Sequence, residues 1–326
     1  MKKLTKLFLS VACGLFLLPP CHAKSADKDT LSNTSESAMP MLKLNNGMEM
    51  PQFGIGTFTL PDNDNTVSLL VQALKRGYRH IDTAHAYRNE QSVGKAIRES
   101  GVPRQEIWLT SKLWPNEYGQ GKTGKAIDEM LQRLGVDYID LVYLHQPVGD
   151  YKGAWRELEK AVNEGKVKAI GISNFDYNDQ IFSDIVDSMS VKPVAMQIEC
   201  HPYAQRKQWQ EKLKKHHIVL ECWYLLGGRS SRGAVLKDSV ICDIAKTHGK
   251  TAAQVIIRWH IQEGVSVIPG IDNPKYIDEN IAALDFTLTE EEMNAIRALN
   301  KEQRFFNMTY EEAQQRFGNH DLLDKK

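Results

Sequence analysis

The sequence predicts an α/β fold, namely a (β/α)8 TIM barrel with an N-terminal β-hairpin and a C-terminal helical and loop extension. Eight short runs rich in β-branched and aromatic residues alternate with eight stretches of helical spacing, which favours parallel pairing and closure into a barrel. Five successive runs also end on polar residues. An open doubly wound sheet is the alternative, but no G-x-G-x-x-G follows the first run, where "GIGTF" stops short of it.

The predicted elements begin with a hairpin in "MLKLNNGMEM", where Asn46-Gly47 is a strong turn signal. The predicted strands are, in order, "FGIGTF", "YRHID", "IWLTSK", "YIDLVYLH", "VKAIGIS", "PVAMQIE", "IVLECW" and "VSVIP". The predicted helices cover residues 67–76, 92–100, 123–134, 155–164, 179–189, 208–217, 251–262 and 274–283. Each strand with its following helix is one repeating unit of such a barrel.

The N-terminus has the order of a secretory signal peptide. Three lysines precede an apolar segment at residues 7–18, and Ala23 is the small residue after which we expect cleavage. That apolar segment is too short to span a bilayer comfortably. We therefore predict a signal peptide at residues 1–23 and an exported mature chain, either periplasmic or secreted.

Residues 24–40 are rich in Ser, Asp, Lys and Thr, a composition that predicts a disordered linker. The barrel domain then covers residues 41–326. A lipid-modified Cys21 is an alternative fate for the leader, although Pro19 and Pro20 precede it where small or aliphatic residues are usual. The same two prolines oppose a buried N-terminal helix.

The composition excludes several classes of partner. Lys and Arg together number 41, as do Asp and Glu, so no net field favours nucleic acid or an anionic membrane. We predict no membrane span in the mature chain. Three cysteines remain after the leader, an odd number that cannot all pair, and we expect buried free thiols: Cys200, Cys222 and Cys242. Five histidines lack a coherent zinc spacing, so we predict no metal: His80, His85, His201, His216 and His217.

Polar residues end five consecutive predicted strands, the second to the sixth: Asp82, Lys112, His145, Ser173 with Asn174, and Gln197 with Glu199. In a barrel these ends open on one face, which is where active sites are built. A single polar strand end is readily explained as a loop anchor, but five in succession are hard to explain by packing. The sequence therefore predicts a site at the C-terminal mouth.

Tyr87 lies five residues beyond Asp82 and is the candidate for the reactive group. An unperturbed phenol has a pKa of about 10, but an ammonium group from Lys112 would favour the phenolate and lower that pKa. Asp82 would orient the lysine, and His145 would donate to a substrate carbonyl. A tyrosine tuned in this way is a general acid that protonates oxygen as hydride reaches carbon. The structural alternative is a buried Asp82–Lys112 ion pair that only closes the barrel.

Five segments resemble the aldo-keto reductase family: "GYRHIDTAHAYRNEQSVGKAI", "SKLW", "YIDLVYLHQP", "WRELEKAVNEGKVKAIGISNF" and "QIECHPY". The resemblance runs from about residue 42 to about residue 318. It implies a monomeric oxidoreductase that reduces aldehydes or ketones to alcohols with a nicotinamide cofactor. It also implies a catalytic tetrad, with Tyr87 as proton donor, Lys112 and Asp82 tuning it, and His145 orienting the carbonyl.

The same resemblance implies the ligand-binding residues. Those expected to hold the nicotinamide are Ser173, Asn174 and Gln197 at the carboxamide and Trp223 stacked on the ring. Those expected along the rest of the dinucleotide are Leu226, Gly227 and Arg229 in "LLGGRSSRG", Gly270 in the phosphate loop, and Glu279 and Asn280 at the adenine. Phe58 and Trp114 would wall the substrate pocket beside His145. Phe305 and Phe306 either close over the pocket or pack on a surface helix.

The phosphate loop departs from the family pattern. In "SVIPGIDNPKYIDEN", Gly270, Ile271 and Tyr276 replace the Lys, Ser and Arg that hold the 2′-phosphate of NADPH. A phosphate dianion is bound by fixed positive charge or a fork of donors, and Asp272 would repel it. Arg229, Arg232 and Lys275 are cations that would compensate, or solvated residues of a basic loop. We favour NADP(H) from the resemblance, with NAD(H) as the alternative.

Two other functions remain open at this point. The altered phosphate loop and the leader favour an exported, non-catalytic binding protein on the same scaffold, since nicotinamide cofactors are cytosolic and the N-terminus has no twin-arginine pattern. The intact tetrad opposes this interpretation. A glycoside hydrolase would need a carboxylate pair such as Asp82 and Glu199, but Lys112 should neutralise Asp82.

Overall fold

Eight parallel strands follow one another around the barrel in chain order in the computed structural model, which describes residues 39–228 and 231–318. They are β3 (Ile55–Gly56), β4 (His80–Asp82), β5 (Trp108–Leu113), β6 (Ile139–Leu144), β7 (Val167–Ser173), β8 (Ala195–Glu199), β9 (Val219–Trp223) and β10 (Ser266–Val267). The first and last segments meet through parallel bridges from Phe53 to Val267 and from Gly56 to Gly270. The predicted (β/α)8 barrel is confirmed.

Helices form the outer layer, and they are α1 (Asp64–Lys75), α2 (Glu90–Glu99), α3 (Lys122–Leu134), α4 (Tyr151–Asn163), α5 (Asp179–Val186), α6 (Lys207–Lys215), α7 (Ser239–His248), α8 (Ala252–Gln262) and α9 (Lys275–Ile281). The eight predicted helices are all present, with ends that differ by a few residues. Helix α7 was not predicted, although the sequence has signals for both of its ends. Asp238 caps the Val240 N–H, and Gly249 ends the helix in the left-handed region at φ 62°.

Two further helices, α10 (Glu290–Arg297) and α11 (Tyr310–Gly318), form the C-terminal extension. A capping box between Thr289 and Glu292 starts α10, the pattern expected when a threonine precedes a glutamate by three residues. An irregular segment at residues 298–309 joins the two helices. The predicted helical and loop extension is confirmed.

The predicted N-terminal hairpin consists of β1 (Met41–Lys43) and β2 (Glu49–Pro51) paired antiparallel. Gly47 takes φ 88° in its turn, a conformation that favours glycine. Leu44 and Met50 from this hairpin pack with Trp108, Tyr143 and other inward side chains of the barrel. The hairpin therefore closes the end of the barrel opposite the mouth.

The segments beyond the barrel core are only partly described. The predicted signal peptide at 1–23 lies outside the described residues, as does the predicted linker up to residue 38. The last two linker residues are part of the fold, since Met39 packs against the core and the Pro40 carbonyl accepts from the Gln52 N–H. Among the described helices, none is both long and apolar enough to cross a bilayer.

None of the three cysteines of the barrel forms a disulfide. Cys200 and Cys222 are buried and Cys242 is half-buried, as predicted except for the partial exposure of Cys242. The Cys200 and Cys222 thiols and a His260 nitrogen lie within 4.8 Å of one another. Burial raises the pKa of Cys222 well above its ordinary value, so this thiol stays protonated at neutral pH and packs as a core group.

Candidate active site

The ends of β4, β5 and β6 bring the predicted catalytic side chains together at the mouth. Asp82 ends β4, Lys112 is the fifth residue of β5, and His145 follows β6 directly. Tyr87 lies on a short 3-10 turn at residues 85–87, immediately after β4. Because parallel strands align their carboxyl ends, four residues that are far apart in sequence become neighbours.

Lys112 is the centre of this group, and all three of its ammonium hydrogens have acceptors. Its Nζ donates to Asp82 Oδ1 at 2.5 Å, to the Thr83 carbonyl at 3.0 Å and to the Tyr87 hydroxyl at 3.3 Å. The lysine is 0% exposed. A buried ammonium with three acceptors is held in one position, so its charge is directed at the phenol.

Burial and pairing act in opposite directions on this ion pair. Burial by itself would lower the pKa of Lys112, but its contacts with Asp82 and Tyr87 prevail and raise the pKa above the ordinary value. Burial raises the pKa of Asp82, and the lysine opposes that rise. Lys112 therefore remains charged at neutral pH.

The sequence-based expectation for the pKa of Tyr87 is wrong for the protein without ligand. Burial raises the pKa of the phenol above its ordinary value, and the nearby Lys112 charge only partly opposes this rise. The sequence predicted the effect of the Lys112 charge on this pKa. It did not predict the desolvation of the phenol, because the burial of a side chain in a turn depends on how other segments pack. At neutral pH Tyr87 is protonated, which is the state that a proton donor requires.

His145 is neutral and faces the same space as Tyr87. Burial, with a smaller effect of Lys112, lowers its pKa well below its usual 6.5. Its ring centroid lies 5.8 Å from that of Tyr87 and 5.0 Å from that of Trp114. His145 Nδ1 and Trp114 Nε1 are buried without a hydrogen-bond partner in the structure. Such atoms at a mouth are suited to a polar ligand.

Aromatic side chains surround these groups, among them the two that were predicted to wall a substrate pocket, Phe58 and Trp114. Phe58 is 72% exposed and contacts the Tyr87 ring edge-on, with centroids 5.1 Å apart. Trp114 is buried against Phe317 of α11. Phe306 lies in the irregular C-terminal segment and contacts the Trp223 ring at 5.0 Å. Its neighbour Phe305 packs against a cluster that includes side chains of α7 and α8, as the surface-helix alternative expects.

Three of the predicted nicotinamide-binding residues form one chain of contacts. Asn174 follows β7 with φ 63°, and its Nδ2 donates to the His145 carbonyl at 3.0 Å and to Ser173 Oγ at 3.2 Å. Trp223 Nε1 donates to Asn174 Oδ1 at 3.1 Å. This chain fixes the Trp223 indole at the rim of the mouth, where its partly exposed ring is available for stacking.

Gln197 is the fourth predicted nicotinamide contact, and its amide nitrogen already donates two hydrogen bonds inside the barrel. Its Nε2 donates to Asp82 Oδ2 at 2.8 Å and to Glu221 Oε1 at 2.6 Å. Both amide hydrogens are used, so only its carbonyl oxygen remains for a ligand. The sequence analysis missed Glu221, although a glutamate within the apolar run "IVLECW" is an observable signal.

Glu199 anchors the C-terminal segment, a role that the sequence analysis did not foresee. Its carboxylate accepts from the Phe305 N–H at 2.6 Å, the Phe306 N–H at 3.3 Å and Arg304 Nε at 3.2 Å. Asp82 is occupied by Lys112. Neither acid is free, which opposes the glycoside hydrolase interpretation, because that chemistry needs an available acid–base pair.

The predicted pyrophosphate-binding segment is partly described. Gly227 takes φ 74°, and a Cβ there would lie 2.9 Å from Ser231 Oγ, so the close turn after Leu226 requires glycine. Arg229 lies outside the described residues. Arg232 is exposed.

The three altered residues of the predicted phosphate loop lie in different surroundings. Gly270 is exposed without a side chain, Ile271 is 0% exposed in the core, and Tyr276 contacts the Lys275 ammonium at 5.1 Å. Asn280 Nδ2 donates to the Gly270 carbonyl at 3.2 Å, and the Glu279 carbonyl accepts from Gln254 at 2.8 Å. Of the two predicted adenine residues, Asn280 thus supports the loop.

Comparisons with known proteins agree with this geometry. A model of the aldo/keto reductase family matches residues 52–301. A 9,11-endoperoxide prostaglandin H2 reductase of Trypanosoma cruzi (strain CL Brener) is 42% identical over 262 residues, which are 80% of this chain and 92% of that protein. A glyoxal reductase of Bacillus subtilis (strain 168) is 41% identical over 264 residues, or 81% of this chain and 94% of that protein.

The fold also agrees with solved structures. The crystal structure of an aldo/keto reductase from Brucella melitensis aligns with a TM-score of 0.75 at 41% sequence identity. The alignment covers 80% of this chain and all of that chain.

Proposed function

Because the chain belongs to the aldo/keto reductase family and is an oxidoreductase that reduces aldehydes and ketones, we propose that Tyr87 is its proton donor. The observation that supports this role most is the buried Lys112 ammonium, which donates to Tyr87, Asp82 and a backbone carbonyl together. A lysine that served only to close the barrel would not need to contact the phenol.

The proposed mechanism assigns one task to each side chain. A bound nicotinamide dinucleotide supplies the hydride. His145, which is neutral, donates to the carbonyl oxygen of the substrate and orients it. Tyr87 passes its hydroxyl proton to that oxygen as negative charge develops there. Lys112 stabilises the resulting phenolate, and Asp82 holds the lysine in place.

The residues at the mouth fit the nicotinamide end of such a cofactor. Asn174 is held in a left-handed conformation by contacts with His145, Ser173 and Trp223. Gln197 retains a free carbonyl oxygen that suits the amide hydrogens of a carboxamide. We propose that these four residues, with His145, bind and orient the reactive ring.

We propose NADP(H) as the cofactor, with affinity reduced by the altered phosphate loop. In the Gly270→Lys/Tyr276→Arg variant, NADPH should bind at least about tenfold more tightly, because a phosphate dianion gains charge-assisted hydrogen bonds. A side chain at position 270 has room, since a Cβ there meets only the Gly56 carbonyl at 4.0 Å. The measurement is quenching of tryptophan fluorescence by NADPH and by NADH.

The control for this titration is NADH, whose affinity the variant should not change. Trp223→Phe should remove most of the quenching if this indole stacks on the ring. Equal gains for both cofactors would contradict the phosphate argument. Quenching by neither cofactor, in folded wild-type protein, would favour the alternative of an exported, non-catalytic binding protein, which the missing clamp supports.

We propose that the chain is exported, on the charged, apolar and small-residue order of residues 1–23. When the full chain is expressed in a bacterial host, the purified protein should begin at Lys24, as read by N-terminal sequencing, and should lie in the periplasmic fraction. Ala23→Arg should block cleavage. An acylated N-terminus at Cys21 would indicate lipid anchoring instead, and an intact cytosolic chain would contradict export.

A further inference from the structure

Glu221 is a second carboxyl group inside the barrel that the tetrad does not include. It lies on β9 and is 0% exposed. Its Oε1 accepts from Gln197 Nε2 at 2.6 Å and from the Tyr143 hydroxyl at 3.2 Å, and its Oε2 accepts from Ser266 Oγ at 2.8 Å. Burial raises the pKa of Glu221, and these three described donors oppose that rise by favouring the ionised carboxylate.

One amide group connects Glu221 to the tetrad. The two hydrogens of Gln197 Nε2 point to Asp82 Oδ2 at 2.8 Å and to Glu221 Oε1. The opposite amide orientation would place a carbonyl oxygen against two carboxylates, so the orientation is fixed by charge. Glu221 therefore belongs to one continuous chain that runs through Gln197, Asp82 and Lys112 to Tyr87.

The barrel makes room for this chain at Gly171 of β7. A Cβ at this position would lie 2.4 Å from the Tyr143 ring, so only glycine lets Tyr143 cross the interior and reach Glu221. Two buried acids thus face a single buried ammonium. Burying these charged groups together makes the free energy of folding less favourable. Arrangements that destabilise the fold in this way are found at functional sites.

We propose that Glu221 is a positioning residue of this active site: it holds the Gln197 amide against Asp82 and adds a second negative charge beneath the lysine that contacts Tyr87. This inference rests on the proposed proton-donor role of Tyr87. The charge of Glu221 opposes ionisation of the phenol, whereas Lys112 favours it. Glu221 thereby keeps Tyr87 protonated at higher pH than the lysine alone would allow.

Other ionisable groups face Glu221 or its partners from across the barrel and from its own strand: His80 and Asp82 on β4, Lys112 on β5, Tyr143 on β6 and Cys222 on β9. His80 Nε2 lies 3.8 Å from Glu221 Oε2. Burial lowers the pKa of His80 to about 4, so its ring is neutral in the working range. Its Nδ1 faces the Pro51 carbonyl at 3.1 Å, which leaves Nε2 as an acceptor.

The test is the pH dependence of the Glu221→Gln variant. Its new amide fits the site, since the Ser266 hydroxyl, 2.8 Å from Glu221 Oε2, can accept from it. Without the negative charge the pKa of Tyr87 falls. The alkaline limb of carbonyl reduction, which needs the phenol, should move to lower pH by about 0.5–1 unit. The acidic limb of alcohol oxidation, which needs the phenolate, should move in the same direction.

The matched control is Glu90→Gln. Glu90 is also a buried glutamate, but it accepts from Ser111 and Arg133 on the outer side of the barrel. This control should leave both pH limbs in place. A Glu221→Gln enzyme that loses activity with unchanged limbs would show a purely structural role and overturn the inference. Glu221→Met, which also removes the charge, should shift the limbs in the same direction.

A spectroscopic titration separates this inference from the proposed function. The ultraviolet difference between each protein and its Tyr87→Phe counterpart reports ionisation of this one phenol without turnover. The phenol should ionise at lower pH in Glu221→Gln than in wild type. If wild type reduces no carbonyl, the proposed function fails, but this comparison still decides the role of Glu221. If wild type is active and the two titrations coincide, only the Glu221 inference is overturned.

Discussion

Replacement of Tyr87 by phenylalanine should lower kcat for carbonyl reduction by about 10²–10⁴-fold, the usual contribution of a positioned general acid. The dissociation constant of the cofactor should stay unchanged, because the predicted nicotinamide contacts of Asn174, Gln197 and Trp223 do not include the phenol. Steady-state rates combined with fluorescence titration measure both quantities on the same protein.

The matched control is Tyr78→Phe. Tyr78 is buried, and its hydroxyl donates to the Ile277 carbonyl at 2.9 Å on the outer side of the barrel. This variant loses one buried hydrogen bond, at a cost of about 1 kcal/mol in unfolding free energy, and should keep its kcat. Full carbonyl reduction by Tyr87→Phe with normal cofactor binding would exclude Tyr87 as the proton donor.

Replacement of Lys112 by methionine should affect both catalysis and folding. It removes the cation that stabilises the phenolate, so kcat should fall by about 10²-fold or more. It also leaves Asp82 buried without its partner, and breaking such a pair typically lowers the unfolding free energy by about 3–5 kcal/mol. Denaturant unfolding and steady-state kinetics measure the two effects separately.

The pH dependence of this stability loss has a definite sign. The pKa of Lys112 in the folded protein lies above its ordinary value of 10.5. Its contribution is therefore fully present below that value and is lost as the pH rises through the folded-state pKa. The stability difference between wild type and Lys112→Met should therefore shrink in strong alkali, where Lys112 loses its proton.

Lys95→Met is the control for this pair. Lys95 contacts Asp64 at 2.7 Å, but both side chains are exposed, and exposed ion pairs contribute little to stability. This variant should unfold at the same denaturant concentration as wild type. A similar small effect for Lys112→Met would contradict the inference that Lys112 and Asp82 form an ion pair in a desolvated interior.

Much of the site was predictable because strand ends are encoded locally. An apolar run that stops on Asp82, Lys112 or His145 identifies both the strand and the side chain at its carboxyl end. Barrel closure then places these ends on one face without any knowledge of distances. The replacement of a phosphate-binding lysine by Gly270 could also be predicted, because the identity of a residue is known from the sequence alone.

The remaining features depend on which side chains are desolvated together. The pKa of Tyr87 rises because the phenol is desolvated. The sequence does not show how far a side chain in a turn is buried. Glu199 was foreseen as a polar strand end, but its partners are backbone N–H groups of a segment more than 100 residues away. The inward orientation of Glu221 was not predicted. Side chains of a strand face alternately into and out of the barrel, and the strand register decides which way each one faces.

The sequence by itself determined the barrel, the hairpin that closes one end, and the four residue types gathered at the other. These follow from alternation, turn chemistry and strand ends, all of which are local properties. Only the tertiary structure decided that Gln197 gives its amide hydrogens to Asp82 and Glu221, and that the buried Lys112 ammonium pairs with Asp82. Hydrogen-bond direction and desolvation depend on contacts between distant strands, which exist only once the barrel has closed.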